Sequence, residues 1–403
     1  MQKIYTERAH LMCPQMNFGI IIEVKDEYNE KKLIDSLDLI AKAHPFLRAL
    51  LGNSTDGAFY YNIGEESKIE ISFEKATVSD IYDEKIQADY ERLTSKEWNL
   101  HQEGMLKVVS YKAGEHIVLL LVFHHLLTDG RGAIALAEEL AACYVNGTKP
   151  QYAEENLIAS KQDMPDNSNL PFISRVLVKW ANRQWIKEKH KLEYSQYLEL
   201  ANDFNQKYKV SHGINILPNE EYKEIVEKCH KEQVSVNDYL IASMILKEKT
   251  NKVIIACDLR ERLKCYNQGA LGNYSTAFSV EYCGKSREVW EVARRIQSEV
   301  DGKIRNPRDL YLVLQCYADL NGELLDAAFA SARCGYGSKA ARFIGSAFFG
   351  FANADGLSIT NLGKFESDSI EIAAFIPPAS PAIKKTLGVV TFNGKMVVAT
   401  SER

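Results

Sequence analysis

The chain has 403 residues, beyond the size at which one hydrophobic core usually stops growing, so two subdomains are the default expectation. Its apolar and charged fractions, 46% and 26%, are those of an ordinary globular protein, and a net charge of −5 with no long Lys/Arg run excludes a nucleic-acid partner. The amino terminus lacks a signal-peptide core and no window is apolar enough to span a bilayer, which points to the cytoplasm.

In chain order, Gly19 to Val24 reads as a strand and Glu30 to Ala43 as a helix ended by His44-Pro45. Ile69 to Phe73, Leu106 to Ser110 and Ile117 to Phe123 read as further strands, with a helix over Ile81 to Leu93. Ile117 to Phe123 is a short apolar run of the kind covered on both faces. The next helix, Ala133 to Val145, carries Ile134, Leu136, Ala137, Leu140 and Ala141 on one face. From Asn146 to Pro171 the pattern dissolves into turn residues, which places a subdomain boundary there and divides the chain into 1–160 and 161–403.

Beyond the boundary, helices are expected over Phe172 to Leu192, Glu220 to Glu232, Ser235 to Lys247 and Glu288 to Val300. A helical stretch runs from Arg308 to Phe329, and strands from Val210 to Leu217, Val253 to Leu259 and Tyr274 to Glu281. The stretch from Leu357 to Ala399 reads as strands and turns, with a hairpin at Asn393-Gly394. The alternation is that of a mixed α/β (α+β) chain.

The chemistry sits between the strand ending at Phe123 and the helix after it, where His124, His125, Asp129 and Gly130 crowd one turn. Consecutive strand residues face opposite ways, so one histidine is a candidate base and the other structural. Asp129 either holds the imidazole tautomer or braces the loop against a cation, and Gly130 permits a positive φ or a close backbone approach. A metal is the weaker reading, since neighbouring strand residues diverge and no third histidine sits at ligand spacing. The eight dispersed cysteines contain no Cys-x-x-Cys pair. No phosphate loop, Gly-x-Gly-x-x-Gly, His-Glu-x-x-His or Gly-x-Ser-x-Gly is present, so nucleotide hydrolysis, nicotinamide binding, zinc proteolysis and serine-hydrolase chemistry lack support.

Read whole, His124-His125-Leu126-Leu127-Thr128-Asp129-Gly130 resembles the HHxxxDG motif of the thioester-dependent acyltransferase superfamily, which includes chloramphenicol acetyltransferase, peptide-synthetase condensation domains and alcohol acetyltransferases. Four more segments match in the family's order: His44-Pro45-Phe46-Leu47-Arg48, Val236 to Leu240, Asp258-Leu259-Arg260 with Gly272-Asn273, and Ser358 to Gly363. The plant members' Asp-Phe-Gly-Trp-Gly string is missing, and Asn353-Ala354-Asp355-Gly356 is only a loose echo of it.

The resemblance implies two chloramphenicol-acetyltransferase-like subdomains with mixed sheets and a channel between them. His125 would be the general base, Asp129 and Arg260 a structural ion pair, and Asn361, Thr360 or Asn273 hydrogen-bond donors to an oxyanion, with His124 beside the substrate. It further implies acyl-CoA or an acyl-phosphopantetheine carrier as co-substrate, no permanently bound cofactor or metal, and a hydroxyl or amine acceptor. The rival reading is a non-catalytic condensation-like protein that binds a carrier or metabolite.

Two other segments carry competing readings. The helix around Phe172 to Leu192 has Ile173, Val176, Leu177 and Trp180 at helical spacing among six cations. It reads first as a solvated helix with one face on the core, then as a dock for an acidic carrier or an interfacial helix on an anionic membrane. The Phe-rich stretch from Ala330 to Gly356 lines an acyl channel or packs elements closely.

Overall fold

The computed structural model describes residues 2–54, 57–331, 334–352 and 355–403. Its strands are β1 (Gln2–Lys3), β2 (Asn17–Val24), β3 (Ala49–Asn53), β4 (Phe59–Ile63), β5 (Glu70–Thr77), β6 (Leu106–Ala113) and β7 (His116–His124) in the first part. The second part has β8 (Ser211–Ile216), β9 (Lys252–Asp258), β10 (Ser275–Glu281), β11 (Gly356–Phe365), β12 (Ile370–Ile376), β13 (Ile383–Phe392) and β14 (Lys395–Glu402).

Two mixed sheets flanked by helices form the two subdomains. One has the order β12-β2-β7-β6-β5, with β5 parallel to β6 and the other pairs antiparallel. The other has the order β10-β9-β11-β13-β14-β8, with β9, β11 and β13 mutually parallel. A small β1-β4-β3 sheet sits beside the first; the sequence pattern did not single out β3 and β4.

β7 is buried from Ile117 to His124, as its uninterrupted apolar sequence requires of a strand covered on both faces. The Gly130–Asn146 helix then returns over this sheet, ending on Gly147 in the left-handed conformation at φ 65°. The Asn393-Gly394 turn has φ 49° and 79°, the double positive φ of a type I′ hairpin, and it sets the β13–β14 register with Phe392 opposite Lys395.

One strand joins the two halves. β12 follows the second sheet's β11 in sequence but pairs with β2 of the first sheet, Phe375 opposite Ile20. It also lies against the second sheet: a Cβ on Gly388 would fall 2.4 Å from Phe375 O, and Ser401 Oγ donates to Pro377 O at 2.7 Å. Residues 370–376 of the second part therefore complete the sheet that carries His124.

The crossing segment after Asn146 is irregular, as its turn residues dictate, yet Glu155, Leu157 and Ile158 are buried between the halves. The helix expected from Phe172 stops at Glu188, where Lys189 takes a left-handed conformation, and a second helix, Tyr194–Lys207, follows. The expected Arg308 to Phe329 stretch is three short helices, the last two separated by the Asn321 cap. Asn353 and Ala354, half of the loose echo of the plant motif, lie outside the described residues.

Candidate active site

The His-His-Asp-Gly turn closes the end of β7. His124 N donates to Met105 O at 3.0 Å, which finishes the ladder, and Asp129 N donates to Gly272 O at 3.2 Å, which hands the turn to the second subdomain. The two imidazoles then separate. His124 is 2% exposed, and its Nδ1 accepts from Leu126 N at 3.1 Å. Burial, with the neighbouring His125, pushes its pKa down to about 3. It is a neutral brace of the turn rather than a substrate contact.

His125 faces Asn273, and their two hydrogen bonds fix the proton. Asn273 Nδ2 donates to the backbone oxygen of His125 at 2.8 Å. A carbonyl oxygen only accepts, so the amide nitrogen must point there and Oδ1 must point at the ring. Oδ1 lies 2.8 Å from His125 Nδ1, which therefore carries the proton. Nε2 is left with its lone pair, and none of the described residues hydrogen-bonds it. Burial holds the ring's pKa below the usual histidine value, with Asp129 and Asn273 pulling the other way, so the ring is neutral at pH 7. Asn273, expected among oxyanion donors, has both ends of its carboxamide engaged with His125, so it orients the His125 ring.

Asp129 is saturated. Its Oδ1 accepts from Gly132 N at 3.0 Å and Arg260 Nη2 at 2.7 Å, and its Oδ2 from Arg260 Nη1 at 3.1 Å and Tyr274 N at 2.9 Å. Burial works against the carboxylate, but the guanidinium and the two amides outweigh it and hold the pKa below the usual range. Such a group is a poor base and a strong brace. One carboxylate thus caps the Gly130–Asn146 helix and ties it to Arg260 and Tyr274 of the second half. Gly272, at φ 142°, has no room for a side chain: a Cβ would stand 2.5 Å from Leu157 Cδ2.

Gly130 is the first residue of the helix and has no positive φ. Its missing side chain admits a close approach by protein: a Cβ there would lie 2.7 Å from Leu362 Cδ2 and 3.4 Å from Phe375 Cζ. Leu362 belongs to the Thr360-Asn361-Leu362-Gly363 segment of β11, so that motif abuts the helix start. Arg131 clamps it by donating to Leu362 O at 2.5 Å. Asn361 Oδ1 accepts from Gly363 N at 3.0 Å, stabilising a bulge in β11, while its Nδ2 donates to none of the described residues. Thr360 makes no side-chain hydrogen bond with them.

Three contributors escaped the sequence reading. His10, on the Arg8–Leu11 turn of helix, stacks on His125 with ring centroids 4.3 Å apart and planes 4° apart. Its Nδ1 is buried without a partner, and burial beside two other imidazoles holds its pKa well below the usual value. The turn is anchored by a buried fork from Arg8 to Asp326, with Nε at 2.8 Å and Nη2 at 2.6 Å from Oδ2. Phe18 meets the His125 ring edge-on at 5.3 Å. Glu155 is buried, and its Oε2 accepts from Phe46 N of the His44-to-Arg48 motif at 2.5 Å. Its Oε1, 3.9 Å from His44 Nδ1, has no hydrogen-bond partner, and burial raises its pKa to about 9. Among the described residues no group of three or more His, Cys, Asp or Glu side chains converges as metal ligation would need.

The fold has relatives. Residues 13–160 match the Condensation domain family model. The first condensation domain of the calcium-dependent antibiotic synthetase, solved with a substrate analogue, superposes with a TM-score of 0.64 over 100% of this chain and 90% of that one, at 12% identity. The chain has the condensation-domain fold. Polyketide synthase associated protein 5 from Mycobacterium tuberculosis is also similar, with a TM-score of 0.58, 14% identity and coverage of 100% of this chain and 92% of that one. In sequence, the chain is 25% identical to surfactin synthase subunit 1 of Bacillus subtilis (strain 168) over 268 residues, 62% of this chain and 7% of that much longer protein.

Proposed function

We propose that this condensation-like chain is an acyltransferase that moves an acyl group from a CoA or carrier-protein thioester to a hydroxyl or amine. The observation that carries the reading is the pinned tautomer of His125, with Nδ1–H on Asn273 and an Nε2 that has no hydrogen-bond partner among the described residues. Nε2 takes the proton of the acceptor O–H or N–H as the oxygen or nitrogen attacks the thioester carbonyl carbon. Collapse of the tetrahedral intermediate breaks the C–S bond, and the proton passes from Nε2 to the departing thiolate. The products are an ester or amide and a free thiol, and no oxidant or reductant is consumed.

The remaining roles follow from placement. Asp129 and Arg260 hold the turn, Asn273 holds the ring, and Asn361 Nδ2 and Thr360 are the candidate oxyanion donors beside the helix start. The buried, neutral His10 ring lies flat against His125, so the imidazolium formed at attack does not meet a second positive charge. Thiol release from a panel of acyl-CoA and acyl-pantetheine donors, with and without alcohols and amines, tests the reading. Acceptor-dependent release supports it; tight binding of donors without turnover on any acceptor favours a binding protein instead.

A further inference from the structure

We propose that the outward face of the Phe172–Glu188 helix seats the protein on an anionic lipid surface. Of the apolar residues at helical spacing, Ile173, Val176, Leu177 and Trp180, the structure leaves Ile173, Val176 and Trp180 exposed and Leu177 half-buried. The buried residues of this helix are Val178, Ala181 and Trp185. Of the nine large apolar residues exposed among the described residues, five lie on it: Phe172, Ile173, Val176, Trp180 and Ile186. Phe172, Ile173 and Ile186 are 78%, 72% and 68% exposed.

At about 100° per residue these side chains and the exposed Arg175, Lys179, Arg183 and Lys187 share one arc of roughly 160°. None of the four cations has a carboxylate partner among the described residues. The helix's one acid, Glu188, turns inward and accepts from Ser338 Oγ at 2.8 Å and Ala340 N at 2.9 Å. A protein of net charge −5 thus keeps one carboxylate-free, cationic and apolar strip.

The interleaving selects the occupant. A protein interface concentrates apolar side chains at its centre and sends charge to the rim. Here cations alternate with apolar groups from one end of the helix to the other, so a protein partner would have to desolvate them without a pattern of partners to match. A lipid interface accommodates both at every point: apolar tips enter the acyl boundary while Lys and Arg reach the phosphates. Trp180, edge-on to Phe343 of the neighbouring Lys339–Phe348 helix at 4.8 Å, is placed as an interfacial anchor. No described helix is long and apolar enough to cross a membrane, so the contact is peripheral.

The test is flotation of the full chain with phosphatidylcholine vesicles, alone or containing phosphatidylglycerol, with tryptophan emission read in parallel. Binding is expected on the anionic vesicles only, weakening as salt rises. Each cation removed should cost roughly fivefold in partition, so reversing three, Lys179→Glu with Arg183→Glu and Lys187→Glu, should cost more than about 100-fold. Phe172→Ser with Ile173→Ser should weaken binding on the same vesicles, and Trp180→Phe should abolish the emission shift. All these side chains are exposed, so unchanged melting separates a lost surface from a lost fold. Absence of binding to anionic vesicles, or binding indifferent to the charge reversals, overturns the proposal. So does capture by an acidic carrier protein with no vesicle binding. Thiol release from soluble donors should be unchanged in these variants, so failure here leaves the acyl-transfer reading standing, and the reverse.

Discussion

Replacing Asn273 by alanine removes two 2.8 Å hydrogen bonds from His125, one that fixes the ring's proton and one that fixes its backbone. Each is worth about 0.5–1.5 kcal/mol net, so the productive ring should lose about 1–3 kcal/mol. At the base, that is a fall in kcat of roughly 5- to 150-fold, with KM little changed. The pH profile adds a sign. In the proposed mechanism transfer needs neutral His125, so activity should be lost as pH falls through its pKa, which burial places below the ordinary histidine value. Asn273 raises that pKa, so Asn273→Ala should move the acid limb lower. Asn273→Asp sets a carboxylate against the ring and should move it higher. Steady-state rates across pH for the two variants decide the matter. Wild-type kcat in Asn273→Ala, or limbs that shift together, would refute the tautomer argument.

Other perturbations separate structure from chemistry. Asp129→Ala leaves Arg260 buried without its main partner and should cost about 3–5 kcal/mol in chemical denaturation, while Asp129→Ala with Arg260→Leu should cost less than the sum of the singles. Gly132→Ala should destabilise more than Gly130→Ala, because its Cβ would stand 2.1 Å from Thr128 Oγ1, a hydroxyl held on Gly272 O, whereas at Gly130 the nearest atom is the movable tip of Leu362. Glu155 binds a proton more tightly folded than unfolded, so its contribution to stability falls as pH rises from the ordinary carboxylate range to about 9. Glu155→Gln should therefore melt near wild type in acid and progressively above it as pH increases; a gap that does not widen with pH contradicts the assignment.

What could be read from sequence was local or carried by a motif. The apolar run of β7, the amphipathic helix behind it and the Asn-Gly hairpin follow from side-chain period and turn chemistry. The Asp129–Arg260 pair came from the resemblance, and the structure places the two side chains within 2.7 Å. What could not be read depends on neighbours distant in sequence. The stretch from Leu357 to Ala399 reads as strands and turns, but nothing in it says that Ile370–Ile376 pairs with β2, some 350 residues earlier. His10 sits in a helix of four residues with no periodicity to announce it, and only the approach of His125 gives it meaning. The Phe172–Glu188 helix has apolar residues on two faces, and the core took the one bearing Ala181 and Trp185, which the spacing of Ile173, Val176 and Trp180 concealed.

The central claim, that His125 Nε2 carries the proton from acceptor to leaving thiol, is tested most directly by acceptor-dependent thiol release in wild type and His125→Ala on the same donor. A positioned general base contributes on the order of 10²–10⁴, so release should fall by that factor while donor binding and melting stay near wild type. Acceptor-dependent release at the wild-type rate in His125→Ala would contradict the account.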